Sequence, residues 1–77
     1  YGGDREVDLI VEGVDGQVVG CEVKLAPSVS PADVRHLLWL RDQIPDRIAD
    51  LVVVTTGTTA YRRPDGIAVV PLALLGP

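Results

Sequence analysis

A chain of 77 residues with a net charge of −4 has room for one domain with a small core, burying only about 60–65% of its unfolded surface. The single cysteine, Cys21, excludes an internal disulfide, no Cys/His spacing suggests zinc, and no apolar run matches a membrane span or a signal peptide. The acidic excess, 11 Asp plus Glu against 7 Lys plus Arg, is a poor footprint for tracking nucleic-acid phosphates, though metal-site carboxylates count as negative until a metal binds.

The chain opens on Tyr1-Gly2-Gly3-Asp4 without an initiator methionine and reads as a fragment of a longer protein. A first strand, Glu6-Val7-Asp8-Leu9-Ile10-Val11-Glu12, is followed by the turn signal Gly13-Val14-Asp15-Gly16 and a second strand, Gln17-Val18-Val19-Gly20-Cys21-Glu22-Val23-Lys24. A two-residue loop at Asp15-Gly16 would set the polar side of one strand against the apolar side of the other. A three-residue loop, Val14-Asp15-Gly16, pairs Asp8 with Glu22, Glu6 with Lys24, Val7 with Val23, Leu9 with Cys21 and Val11 with Val19. Only this register keeps one face wholly apolar, and a buried face fixes register strongly. It suits a type I turn closed by Gly16 in the left-handed conformation.

The connector Leu25–Val29 precedes a helix start: Ser30 as N-cap, Pro31 at the first helical position, and Asp33 near the positive end of the helix dipole. The helix is expected over 31–43, stopping before Pro45, with Val34, Leu37, Leu38, Leu40 and Ile44 as its apolar stripe. Trp39 falls off that stripe and reads either as a partly exposed side chain or as a contact with a partner. Asp50–Thr56 is a β-branched run suited to an interior strand. A last short strand, Ile67–Val70, ends at Pro71, and Leu72–Leu75 reads as a helical turn or a packed tail.

The order hairpin, helix, strand, strand predicts an α/β fold with a mixed sheet. The segment from Gln17 to Thr56 forms a crossover that sets the third strand parallel to the second. The helix is expected on the apolar face carrying Val7, Leu9, Val11, Val19, Cys21 and Val23. The half-polar face with Glu6, Asp8, Ile10, Glu12, Val18, Gly20, Glu22 and Lys24 is then left uncovered.

Asp8, Glu22 and Lys24 are the candidate functional residues. Opposed residues on a hairpin have Cβ atoms about 4.5–5.5 Å apart, so two carboxylates at Asp8 and Glu22 are placed to share one divalent ion, Mg²⁺ being held at about 2.0–2.1 Å. The alternative is a cross-strand charge network in which Lys24 offsets the like-charge pair and Glu6 pairs with Lys24. His36 reads as a lone surface histidine. The threonine-rich stretch 55–59 reads as a polar loop without the lysine of a P-loop, and Arg62-Arg63 as the only basic doublet.

Asp8 followed by Glu22-Val23-Lys24 on the next strand resembles the signature of the PD-(D/E)-x-K nuclease superfamily, whose fold is restriction-endonuclease-like. More narrowly, Glu6–Val11, Cys21–Lys24, and Ser30-Pro31-Ala32-Asp33 with its helix look like the C-terminal domain of unknown function appended to many prokaryotic AAA-type ATPases. The resemblance implies one nuclease-like C-terminal domain over residues 1–77. It implies catalytic roles for Asp8, Glu22 and Lys24, with Mg²⁺ held by Asp8, Glu22 and the Val23 carbonyl. Cys21, on the apolar face, reads as a buried reduced thiol, which fits a cytoplasmic setting. Two departures stand out: Val7 takes the place of the signature proline, and the superfamily's first helix would precede Tyr1.

Three functions follow as expectations. The first is an accessory or interaction domain that contacts the upstream ATPase domain or self-associates through the hairpin face, without catalysis by this chain alone. The second is a Mg²⁺-dependent DNA phosphodiesterase. The third is a metal-binding but inactive site. The acidic balance favours the first, with DNA a weak partner and no membrane.

Overall fold

The structure, a computed structural model, describes residues 6–75, with side chains described from residue 9 onward. Five strands form one mixed sheet in the order β1-β2-β3-β5-β4. Strand β1 spans Glu6–Glu12, β2 Val18–Lys24, β3 Ile48–Thr55, β4 Tyr61–Arg62 and β5 Ala68–Pro71. The hairpin β1/β2 and the pair β4/β5 are antiparallel, and β3 runs parallel to both β2 and β5. No helix of the described residues is long and apolar enough to cross a membrane.

The hairpin adopts the expected register, with Asp8 opposite Glu22, Glu6 opposite Lys24 and Leu9 opposite Cys21. The turn closes as anticipated. The Gly13 amide donates to Gln17 O at 2.8 Å, the Gly16 amide donates to Gly13 O at 3.1 Å, and Gly16 has φ 82°. Only glycine enters that region without a steric cost.

The helical segment has two parts. Ser30 is extended (φ −102°, ψ 165°), Pro31–Val34 is a 3₁₀ turn, and helix α1 follows over Arg35–Gln43. The Ile44 amide closes the last turn on Leu40 O at 3.1 Å, and Pro45 cannot continue it. Further 3₁₀ turns lie at Pro45–Arg47 and Leu72–Leu74. Arg47 ties this region to the hairpin: its Nε donates to Gly16 O at 2.9 Å and its guanidinium pairs with Glu12 at 2.9 Å.

The helix lies on the opposite face from the one the alternation suggests. A Cβ built on Gly20 would meet Leu51 Cδ2 at 2.9 Å, Leu40 Cδ2 at 3.1 Å and Leu37 Cδ2 at 3.2 Å. The missing side chain is therefore the recess into which α1 packs. Successive side chains of a strand alternate faces, so Val18, Glu22 and Lys24 share Gly20's face and all are buried. The core on this side comprises Val34, Leu37, Leu51, Val53 and Ile67, each contributing about 1.5–3 kcal/mol by burial. On the other face, Leu9 and Val11 are 50% and 60% exposed, and Val19, Cys21, Val23, Val52 and Val70 are half-buried.

Candidate charged centre under the helix

Within the apolar layer beneath the helical segment lie three charged residues. Glu22 is 1% exposed, and Lys24 and Asp33 are 5% each. Strand β2 positions the first two, because residues two apart on a strand project to one side. The 3₁₀ turn positions the third. Lys24 Nζ donates to Asp33 Oδ2 in a buried ion pair. The same oxygen accepts the Ser30 amide at 2.6 Å and the Ser30 hydroxyl at 3.0 Å. Asp33 thus caps the turn by reaching back to the residue that begins it.

Asp33 escaped the sequence reading as a member of the centre. Its signal was its place three residues after Ser30. In the sequence that spacing reads only as a favourable charge at a helix start, whereas a short acid there is held by the cap and can face the sheet.

Glu22 is in a different state. Its Oε2 is buried and has no hydrogen-bond partner among the described residues. A buried carboxylate oxygen left without a donor is costly, and a proton or a cation would relieve it. Asp8 is the residue directly opposite Glu22; its side chain, and that of Glu6 opposite Lys24, lie outside the described residues. Val23 pairs with Val7 on one side and Val54 on the other. Its carbonyl therefore lies in the plane of the ladder, with only its second lone pair to offer. The donor set of hard oxygens at Asp8 and Glu22 fits Mg²⁺, whereas the burial of Glu22 and Lys24 gives a phosphodiester no surface to approach.

The other candidates lie elsewhere. His36 is exposed and, with Ile10, Leu37, Trp39 and Leu40, lines an apolar hollow of about 180 Å³; Trp39 is 61% exposed. The threonine loop lines a hollow of about 260 Å³ with Pro27, Tyr61 and Val69. Gly57 is required there, since a Cβ would stand 2.5 Å from Pro27 O.

The basic doublet is engaged internally. Arg62 pairs with Asp50 at 3.1 Å and Arg63 with Asp65 at 3.1 Å. The Arg62 hydrogen bond is the main reason the Asp50 carboxyl lies below its usual range. For Asp65, partial burial pushes upward but is outweighed by the Ile67 amide, Arg63 and Arg41, so its carboxyl also lies low.

Compared with known proteins, residues 2–75 match the family model of a domain of unknown function, DUF4143. No curated protein and no solved structure matches the chain.

Proposed function

We propose a function from the premise that the chain belongs to the DUF4143 family, a domain of unknown function generally found in AAA-ATPase-associated proteins. The domain is a nuclease-like, cytoplasmic accessory module of an AAA-type ATPase, restriction-endonuclease-like in its hairpin, crossover and Asp8–Glu22–Lys24 cluster, and it acts by docking. One observation carries this reading: Glu22 and Lys24, two of the ionisable side chains of the signature, are closed beneath the helical segment, while the apolar face with Leu9 and Val11 is open. A catalytic centre for a polymer needs its charges at the surface; a docking module needs its apolar face there. The partner assigned to that face is the ATPase portion of the parent protein.

In this reading the charged cluster is internal. Asp8 and Glu22 hold a divalent cation such as Mg²⁺, which neutralises the Glu22 carboxylate that the fold otherwise buries at a cost. The test uses the parent protein. Leu9→Asp with Val11→Asp is expected to release the domain from the ATPase portion, read as new protease-sensitive sites between them, while the domain itself stays folded. An unchanged cleavage pattern would remove the docking assignment.

The second reading is a Mg²⁺-dependent DNA phosphodiesterase, favoured by the unsatisfied Glu22 Oε2 and the Asp8–Glu22 pairing. When bound, the metal would lower the pKa of an attacking water and stabilise charge on phosphorus. Cleavage of DNA by the wild-type parent that Lys24→Ala abolishes would put this reading in place of the first.

A further inference from the structure

We propose that the outer edge of β1 is the interface of a dimer: two copies of the chain join their β1 strands antiparallel, about a two-fold axis at Ile10, into one continuous sheet. This is separate from the docking assigned to the open face, which such a two-fold leaves uncovered.

The two edges of the sheet are built differently. Strand β4, at one end, has two residues, and its Arg62 is tied to Asp50 and to Gly66 O. Strand β1, at the other, has seven residues, pairs with β2 without a register shift and contains no proline, lysine or glycine. An edge of that kind offers its backbone to another strand. The Gly13–Gln17 hydrogen bond sets which groups are offered, because bonded and non-bonded pairs alternate along the hairpin from there. Asp8, Ile10 and Glu12 therefore turn their N–H and C=O groups away from β2, and no described strand meets them. Leu9, Ile10 and Val11 are 50%, 63% and 60% exposed, so the edge is open on both faces.

Three features select a second copy as the occupant. The run Asp8-Leu9-Ile10-Val11-Glu12 has the same character read in either direction. Turned about Ile10, it brings the outward-facing residues onto one another: Ile10 meets Ile10 of the second copy, with Cα atoms about 5.5 Å apart, and residue 8 meets Glu12. Leu9 then faces Val11 on both sides of the axis, which extends the apolar row of the open face. The acids are also provided with a cation. Arg47 holds Glu12 at 2.9 Å, and a guanidinium has further N–H donors to give, so residue 8 of one copy is brought up to an arginine of the other. Finally, α1 packs at Gly20 on β2, one strand in from the edge. Across the joined edge the two helices lie three strand spacings apart, about 14 Å, where direct helix packing needs about 8–10 Å. Trp39, 61% exposed and lining the same hollow as Ile10, fills that gap from each side.

Sedimentation equilibrium of the chain is expected to give twice the 8.2 kDa of one copy. The emission of Trp39, the single tryptophan, should move to shorter wavelength as the dimer forms. Ile10→Glu is expected to weaken association about tenfold or more, since like charges then meet at the axis. Adding the Ile10→Lys chain to the Ile10→Glu chain restores a dimer containing one of each, because the axis sets residue 10 opposite residue 10.

A wild-type chain that stays monomeric at millimolar concentration would overturn the proposal, as would a dimer that Ile10→Glu leaves intact. A Glu–Lys mixture that forms no mixed dimer would overturn the two-fold at Ile10. Should Ile10→Glu unfold, Trp39→Ala takes its place, and undiminished association there counts against the interface. In the parent protein, an Ile10 amide protected from hydrogen exchange in a monomer would assign the edge to another strand of that protein and remove the second copy.

Discussion

On the helix-covered face of the sheet, Glu22 and Lys24 lie within the same layer as Val18, Leu51 and Val53, all nearly free of solvent. On the other face, Val11, Val19, Val23, Val52, Leu9 and Cys21 are open or half-open, and Val54 alone of this row is buried among the described residues. The covered face is the more polar of the two, which burial alone would not select. The helix goes where it can come close, at Gly20, and it brings Asp33 with it to meet Lys24. Backbone approach, together with one counter-charge at the right position, outweighs the apolar alternation of the strands.

The sharpest way to break this contrast is to strip the counter-charge. Lys24→Met leaves Asp33 buried without its ammonium and is expected to cost about 3–5 kcal/mol, read by urea unfolding. Replacing both Lys24 and Asp33 by Met and Asn should recover most of that loss. Next in size, Leu37→Ala is expected to cost about 2–4 kcal/mol, by removing one of the three leucine side chains that fill the Gly20 recess. Filling the recess instead, with Gly20→Leu, should cost about 1–3 kcal/mol by overpacking; an unchanged denaturation midpoint would show that α1 tolerates a gap.

Asp65 gives a pH test far from the charged centre. Its folded pKa is depressed below 3.8. The stability it supplies is therefore present above about pH 3.8 and is lost as pH falls through the lower folded value. Asp65→Asn should flatten acid unfolding in that window and cost about 1 kcal/mol at neutral pH. The smallest effect belongs to the open face. Leu9→Ser should change the stability of the chain by less than about 0.5 kcal/mol, while weakening the docking proposed for this face. A large stability loss there would show that the open face is already part of the core.

Most of the fold could be read because its determinants are local. The turn Gly13–Gln17 and its register follow from one Asp-Gly pair between two alternating strands. The same turn recurs unforeseen at Arg63–Ile67. The Arg63 amide donates to Ile67 O at 2.8 Å, Gly66 has φ 91°, and Asp65 accepts the Ile67 amide just as Asp15 accepts that of Gln17. The sequence gives no hairpin signal there because the strand before the turn, Tyr61–Arg62, has only two residues and carries no alternation.

The strand ends moved by one or two residues, with β3 over Ile48–Thr55 and β5 over Ala68–Pro71. The face taken by the helix, by contrast, depends on what fits against it. Alternation marks which residues share a side without saying which side is covered. Gly20 carried that information, and without the packing partner it reads as a weak point in a strand.

Cys21 sits midway along the open face, opposite Leu9 and beside Val52. Its thiol is half-buried, and burial pushes its pKa upward, so alkylation at neutral pH is slow but measurable. With one cysteine in the sequence, the chain carries a native footprinting label. Protection of that sulfur would time and locate the docking proposed for this surface without any engineered residue.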